Sequence, residues 1–175
     1  MCCYQGGKKR IAKKIYAAIR EAEVWILGKK TCPWFEPFCG MGSVTNEVAK
    51  EETDRKIFAC DVLEDLILFW RAIQKDWVPP STCNVERYNE LKFSEASPER
   101  LFIGIVGSFN GNLFRNYRLD YSKKDFLGEA RRGIEKVRKN MKKVRFLDAC
   151  SYEPCGMTIY CDPPSKGNHL GPVLF

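Results

Sequence analysis

Residues 34–62 constrain the fold more than any other stretch of the chain. Trp34-Phe35-Glu36-Pro37-Phe38 is strand-like, Cys39-Gly40-Met41-Gly42-Ser43 is a glycine bend, and Val44 to Ala49 continues at helical spacing with Ser43 near the helix start. Lys56-Ile57-Phe58-Ala59-Cys60-Asp61-Val62 reads as a second strand, and Glu64 to Trp77 as a second helix that Pro79-Pro80 breaks. This βαβα succession predicts an α/β fold with a parallel sheet covered by helices. Two further runs, Val144 to Asp148 and Met157 to Asp162, raise the candidate strands to at least four. An amphipathic helix with Ile11, Ile15, Ala18, Ile19 and Ala22 on one side precedes them and ends at Gly28-Lys29-Lys30.

The glycine bend leads into a helix N-terminus, where backbone N–H groups favour anions. Asp61, twenty-one residues past Gly40 at the tip of the next strand, can accept hydrogen bonds from both hydroxyls of a ribose. Gly40-x-Gly42 lacks the third glycine of a dinucleotide fingerprint, so the pair points to a ribose-bearing cofactor of another kind. Asp162 ends an apolar strand immediately before Pro163-Pro164, at the sheet edge where open α/β folds bind ligands. A tight connection, a helix cap and a turn cap would each explain one of these features, but not their conjunction.

At 175 residues and 45% hydrophobic, the chain suffices for one core, and a single domain over 1–175 is expected. No run of about 18 apolar residues occurs and no secretory signal opens the chain, which predicts a soluble, intracellular protein without a membrane partner. Nine cysteines, an odd number partly inside strand-like runs, predict reduced thiols in a reducing compartment. The spacings Cys32/Cys39 and Cys150/Cys155 are too wide for a zinc knuckle and His169 is the lone histidine, so no metal is expected. The net charge of +7 is concentrated: Lys123 to Arg145 holds ten basic and three acidic residues, leaving nineteen of each sign elsewhere. Such a stripe is the footprint of a phosphate-backbone partner or, alternatively, a solvated helix face. From Ser81 the chain turns polar and aromatic-dotted, which reads as a helical insertion at about 81–143 between sheet strands.

The order of these motifs resembles the Dam-like family of DNA adenine-N6 methyltransferases. "YQGGKKRIAKKI" is similar to the family's opening YxGGK segment, "FEPFCGMGSV" to its S-adenosylmethionine loop, and "ACD" ending at Asp61 to its ribose-binding acid. "SFNGNLFRNYR" resembles part of the target-recognition insertion of phage-type members, "FLDA" around Asp148 the adenine-end cofactor segment, and "YCDPPS" the catalytic DPPY. The resemblance covers residues 4–166 and implies a Rossmann-like, S-adenosylmethionine-dependent sheet acting on double-stranded DNA. It assigns Asp162, Pro163, Pro164 and Ser165 to catalysis. Tyr4, Gly7, Lys8, Glu36, Pro37, Phe38, Gly40, Gly42, Asp61 and Asp148 would hold the cofactor. Arg115, Asn116, Tyr117, Arg118, Lys123, Lys124, Arg131 and Arg132 would contact DNA.

The implied chemistry suits these residue types. Adenine N6 is a poor nucleophile because its lone pair is delocalised, and the Asp162 carboxylate with the Pro163 carbonyl would hold the amino hydrogens as nitrogen attacks a methyl group. The base must be flipped out of the duplex to reach them. Two features depart from the family. Ser165 replaces the aromatic residue of DPPY, removing a stacking face valued at roughly 1–3 kcal/mol. Only Lys166 to Phe175 follow, where the family continues with further strands. The expectation is therefore a sheet incomplete at its C-terminal end, with the Asp162 strand at an exposed edge through which a homodimer could pair. The alternative reading is an inactive, DNA- and cofactor-binding remnant.

Overall fold

In a computed structural model, residues 7–28, 30–119, 124–148 and 154–163 are described. Tyr4, Lys123, Pro164 and Ser165 lie outside them. The four expected strands form one parallel sheet: β1 (Trp34–Glu36), β2 (Ile57–Ala59), β3 (Val144–Phe146) and β4 (Thr158–Ile159), in the order β3-β2-β1-β4. Because β1 has β2 on one side and β4 on the other, the connections diverge beside it. This is the switch point at which α/β sheets open a crevice at the strands' C-terminal ends.

The helices between the strands are α1 (Ala12–Leu27), α2 (Ser43–Glu51), α3 (Glu64–Gln74), α4 (Val85–Lys92), α5 (Pro98–Val106) and α6 (Phe126–Met141). Strand residues alternate between faces: Ile57, Ala59, Val144 and Phe146 are buried, whereas Phe58 is half-buried and Arg145 exposed. Phe146 stacks on Trp70 of α3 with ring centroids 5.9 Å apart, which places the helix layer on that face. Full burial of Trp34, Phe69, Trp70 and Ile73 is the main source of cohesion, each such side chain contributing about 1.5–3 kcal/mol.

Two sequence expectations shift. The buried side of α1 carries Ala12, Tyr16 and Glu23, with Ile15 and Ile19 packed beside them, while Ile11, Ala18 and Ala22 are exposed. The stripe is rotated because one of its buried positions is a carboxylate. Within 81–143, α5 is a core helix: Ser97 caps it through the Arg100 N–H at 3.1 Å, Pro98 starts it, and Leu101 to Val106 are all buried against α3 and α4.

Glu23 explains the rotation. It pairs with Arg55, whose Nε also donates to the Cys32 carbonyl at 2.7 Å, and it accepts from Thr158 Oγ1 and from Arg20 at 2.5 Å. Cys32 precedes β1, Arg55 precedes β2 and Thr158 begins β4, so one buried group ties the lower ends of three strands to α1. Burial pushes the Glu23 carboxyl up, but the hydrogen bonds from Arg55, Thr158 and Arg20 outweigh it and hold the carboxyl below its ordinary range. Glu23→Ala leaves the Arg55 guanidinium buried without its carboxylate and is expected to cost about 3–5 kcal/mol in urea denaturation. A loss below about 1 kcal/mol, the range of an exposed pair, would remove this role.

Candidate active site

The register of β1 with its neighbours sets the geometry of the site. Glu36 lies level with Ala59 of β2, and Phe35 with Ile159 of β4. Asp61 and Asp162 therefore both emerge two residues above the level of Glu36, at the same edge of the sheet, one on each side of β1.

Asp61 joins the glycine bend directly. Its Oδ2 accepts the Gly40 N–H at 2.9 Å and its Oδ1 the Leu63 N–H at 3.0 Å. Burial raises its pKa, while the backbone N–H groups of Leu63, Gly40 and Val62 oppose the rise. The bend itself is held from below: Trp70 Nε1 donates to the Gly40 carbonyl at 3.1 Å. Gly40 and Gly42 have positive φ, 48° and 62°. A Cβ on Gly42 would stand 2.6 Å from Met141 Cε, so this glycine makes room for the core rather than for a ligand.

On the other side of β1, Lys8 Nζ pairs with Asp162 Oδ2 at 2.5 Å, bringing the opening GGK segment to the strand tip. Between the two aspartates, Glu36 is 3% exposed and accepts a hydrogen bond from Thr45 Oγ1 on α2. Burial pushes its carboxyl up to about 8; the Thr45 bonds oppose this, and the charges of Asp162 and Asp61 add to it. Burial, followed by the charges of Asp162 and Glu36, likewise pushes Tyr160 up to about 12.

The remaining expected cofactor residues spread along this edge. Gly7 and Phe38 are exposed and Pro37 is half-buried in the bend. Asp148, just past β3, is exposed and pairs with Arg71 at 3.1 Å. Pro163 is exposed beside Asp162. Among the expected DNA contacts, Arg115 and Asn116 present exposed side chains on the loop after α5. Tyr117 and Arg118 donate to the Cys83 carbonyl and the Val106 carbonyl, each at 2.9 Å. Lys124, Arg131 and Arg132 flank the first half of α6; Lys124 pairs with Glu129 at 3.3 Å and Arg132 with Asp125 at 3.4 Å. Thr45, Trp70 and Arg71 were not legible as site residues; each acts through a neighbour rather than from a motif.

A cavity of about 340 Å³ adjoins the bend. Its lining includes Lys9 before α1, Ser43 and Asn46 of α2, and Arg132 and Lys136 of α6. Since α2 and α6 run antiparallel to the strands they precede or follow, their N-terminal halves lie at the ligand edge of the sheet.

A parallel β3-β2-β1-β4 sheet whose glycine bend, second-strand acid and fourth-strand aspartate share one edge is a Rossmann-like methyltransferase sheet. The family model of D12 class N6 adenine-specific DNA methyltransferases matches residues 4–151, and the chain belongs to that family. Membership carries methyl transfer to adenine N6 of DNA, and methyltransferases generally use S-adenosylmethionine. No curated protein matches the chain. The match ends before β4, so the place of Asp162 in the site rests on strand register and the Lys8 pair. Among the described residues, no helix is long and apolar enough to cross a membrane.

The buried Glu36 makes stability depend on pH. Its raised pKa means that the folded chain keeps a proton that the unfolded chain loses above the ordinary carboxylate value. This contribution is complete at low pH, declines as pH rises toward about 8, and is constant beyond. Glu36→Gln cannot lose a proton, so its Tm relative to the native protein is expected to climb between pH 5 and about 8 and then level off. A flat difference by thermal circular dichroism would contradict a protonated Glu36.

Proposed function

We propose that this chain binds S-adenosylmethionine at the Gly40 bend and transfers its methyl group to a flipped adenine held by Asp162 and Pro163. The observation behind this reading is the convergence of Gly40, Asp61, Glu36, Asp162 and Lys8 at one edge of the sheet. The residues suit the cofactor chemically: carboxyl groups crowd where a sulfonium needs negative charge. The backbone N–H groups of Gly40, Leu63 and Val62 do not exhaust the roughly four lone-pair sites of the Asp61 carboxylate, which leaves acceptor capacity for a ribose hydroxyl. Lys8, Phe38 and Gly40 would line the methionine half, and Asp148 would lie toward the adenine.

When bound, the cofactor supplies an electrophilic methyl group. Asp162 and the Pro163 carbonyl accept the two hydrogens of the target amino group and turn its lone pair toward that methyl. Lys8 holds Asp162 Oδ2 in place. Catalysis then consists of positioning and stabilisation of developing charge, with no covalent enzyme intermediate. Arg115, Asn116 and the first half of α6 meet the duplex, and Lys9, Arg132 and Lys136 around the cavity follow its phosphates.

Ser165, which offers no ring to stack on the flipped base, favours a second reading: a cofactor- and DNA-binding member without turnover. Methyl transfer from tritiated cofactor to adenine-containing duplex separates the two. For an active chain, Asp162→Ala is expected to lower the rate by about 10²–10³-fold. Activity that emerges only in Ser165→Tyr would support the second reading. DNA affinity is expected to fall with salt, and Lys136→Gln to flatten the log–log slope by about 0.9 if that side chain neutralises one phosphate. A native slope near zero would remove α6 from the interface.

A further inference from the structure

Among the described residues, the hydrogen bonds to Glu36 come from the hydroxyl and the backbone N–H of one residue, Thr45, and no cation pairs with it. Asp61 has the N–H groups of Gly40 and Leu63, and Asp162 has Lys8. Glu36 has Thr45 of α2, and it lies between the other two at the end of β1, 3% exposed. The groups around it are Asp61 after β2, Tyr160 and Asp162 at the end of β4, Cys39 on the bend, and Lys8, already turned to Asp162. A carboxyl group buried between two others, with the Lys8 ammonium already paired to Asp162, cannot be ionised at low cost.

Resting on the reading that S-adenosylmethionine binds at this bend, we propose that Glu36 senses the cofactor's charge, holding a proton in the protein alone and releasing it to solvent when a sulfonium ligand binds. The balance is simple: the carboxyl O–H bond breaks, the proton passes to buffer, and the electron pair stays on Glu36 as the negative charge that faces the cation. The raised pKa of Glu36, about 8, makes the proton present at neutral pH. An adjacent positive charge is the influence that reverses such a rise. After methyl transfer Glu36 faces a neutral thioether and takes a proton back from solvent, which returns it to its state in the protein alone. Glu36 thereby discriminates the charged cofactor from its spent form, which differs only by one methyl group and one charge. It acts as a specificity-determining group distinct from the Asp162 acceptor.

Calorimetric titration of the full chain at pH 7, in buffers of low and high ionisation enthalpy, counts the protons exchanged. S-adenosylmethionine and S-adenosylhomocysteine share the same amino and carboxyl groups, so their difference isolates the sulfonium. The expected result is about one more proton released with S-adenosylmethionine, a difference that vanishes above pH 9 and in Glu36→Gln. The affinity ratio of the two ligands should rise about tenfold per pH unit from pH 6 toward 8 in the native chain only. Thr45→Val, which removes a bond favouring the ionised carboxyl, should move the pH at which the difference vanishes upward, and serves if Glu36→Gln does not fold. Equal proton counts for the two ligands, with S-adenosylmethionine binding measured, would overturn the role of Glu36 and leave the cofactor reading standing. Absence of S-adenosylmethionine binding would overturn both.

Discussion

The parallel register of β1 between β2 and β4 is the constraint on which the site depends. Side chains at the strand tips can meet only if the strands end at the same height, and with about 3.3 Å of rise per residue a slip of one position would also turn each side chain to the other face. The pairing of Glu36 with Ala59 and of Phe35 with Ile159 sets that height. At the opposite end of the strands, Arg55 and Glu23 secure it, since β4 is short, with Thr158 and Tyr160 N–H donating to the Pro33 and Phe35 carbonyls. The buried ion pair lies at the far end of the sheet from the chemistry, yet it contributes to the alignment of the acids.

The two ends of the sheet treat carboxylates in opposite ways. Glu23 is surrounded by two guanidinium groups and a hydroxyl and stays ionised. Glu36 is buried too, but its hydrogen bonds come from the hydroxyl and backbone N–H of Thr45, two further acids stand near it, and it keeps its proton to about pH 8. Burial raises both, and the guanidinium groups around Glu23 outweigh it, whereas the Thr45 bonds at the more deeply buried Glu36 do not. The Glu23 site compensates its charge internally, whereas the Glu36 site avoids charge by keeping the proton.

Much of the fold was legible because helix and strand periods alternate clearly from Trp34 to Trp77, and prolines and glycines mark the ends. The strand tips Asp61 and Asp162 were legible for the same reason, as acids at the ends of apolar runs. What escaped had physical causes. Glu23 disguised the buried side of α1 because a charged residue there reads as solvent-facing until Arg55, thirty-two positions away, is brought against it. Helix α5 was hidden in a segment whose overall polarity comes from its neighbours, although Ser97-Pro98 is an ordinary helix start. The protonation of Glu36 has no local signal, since it arises first from burial in the folded chain and then from Asp162 and Asp61, which the fold brings near. Gly42 was legible as a required glycine but for a partly different reason, its closest approach being to Met141 and Trp70.

The basic segment shows how one helix serves both core and surface. Its inner side presses Met141 against Gly42, and Asn140 reaches Asn46 of α2 at 3.1 Å, so α6 supports the cofactor bend from beneath. Near its C-terminal end, Arg138 donates to the Ile73 and Trp77 carbonyls, Lys142 pairs with Asp76 and Lys143 donates to the Ala49 carbonyl. These three cations complete the ends of α2 and α3. Lys136, with no partner among the described residues, and Arg132, with only an exposed one, lie toward the other end beside the cavity. Charge that looks uniform along the sequence therefore divides by depth and position. The portion near the strand tips remains available to an anionic partner, and the helix bearing it also packs against the bend through Met141.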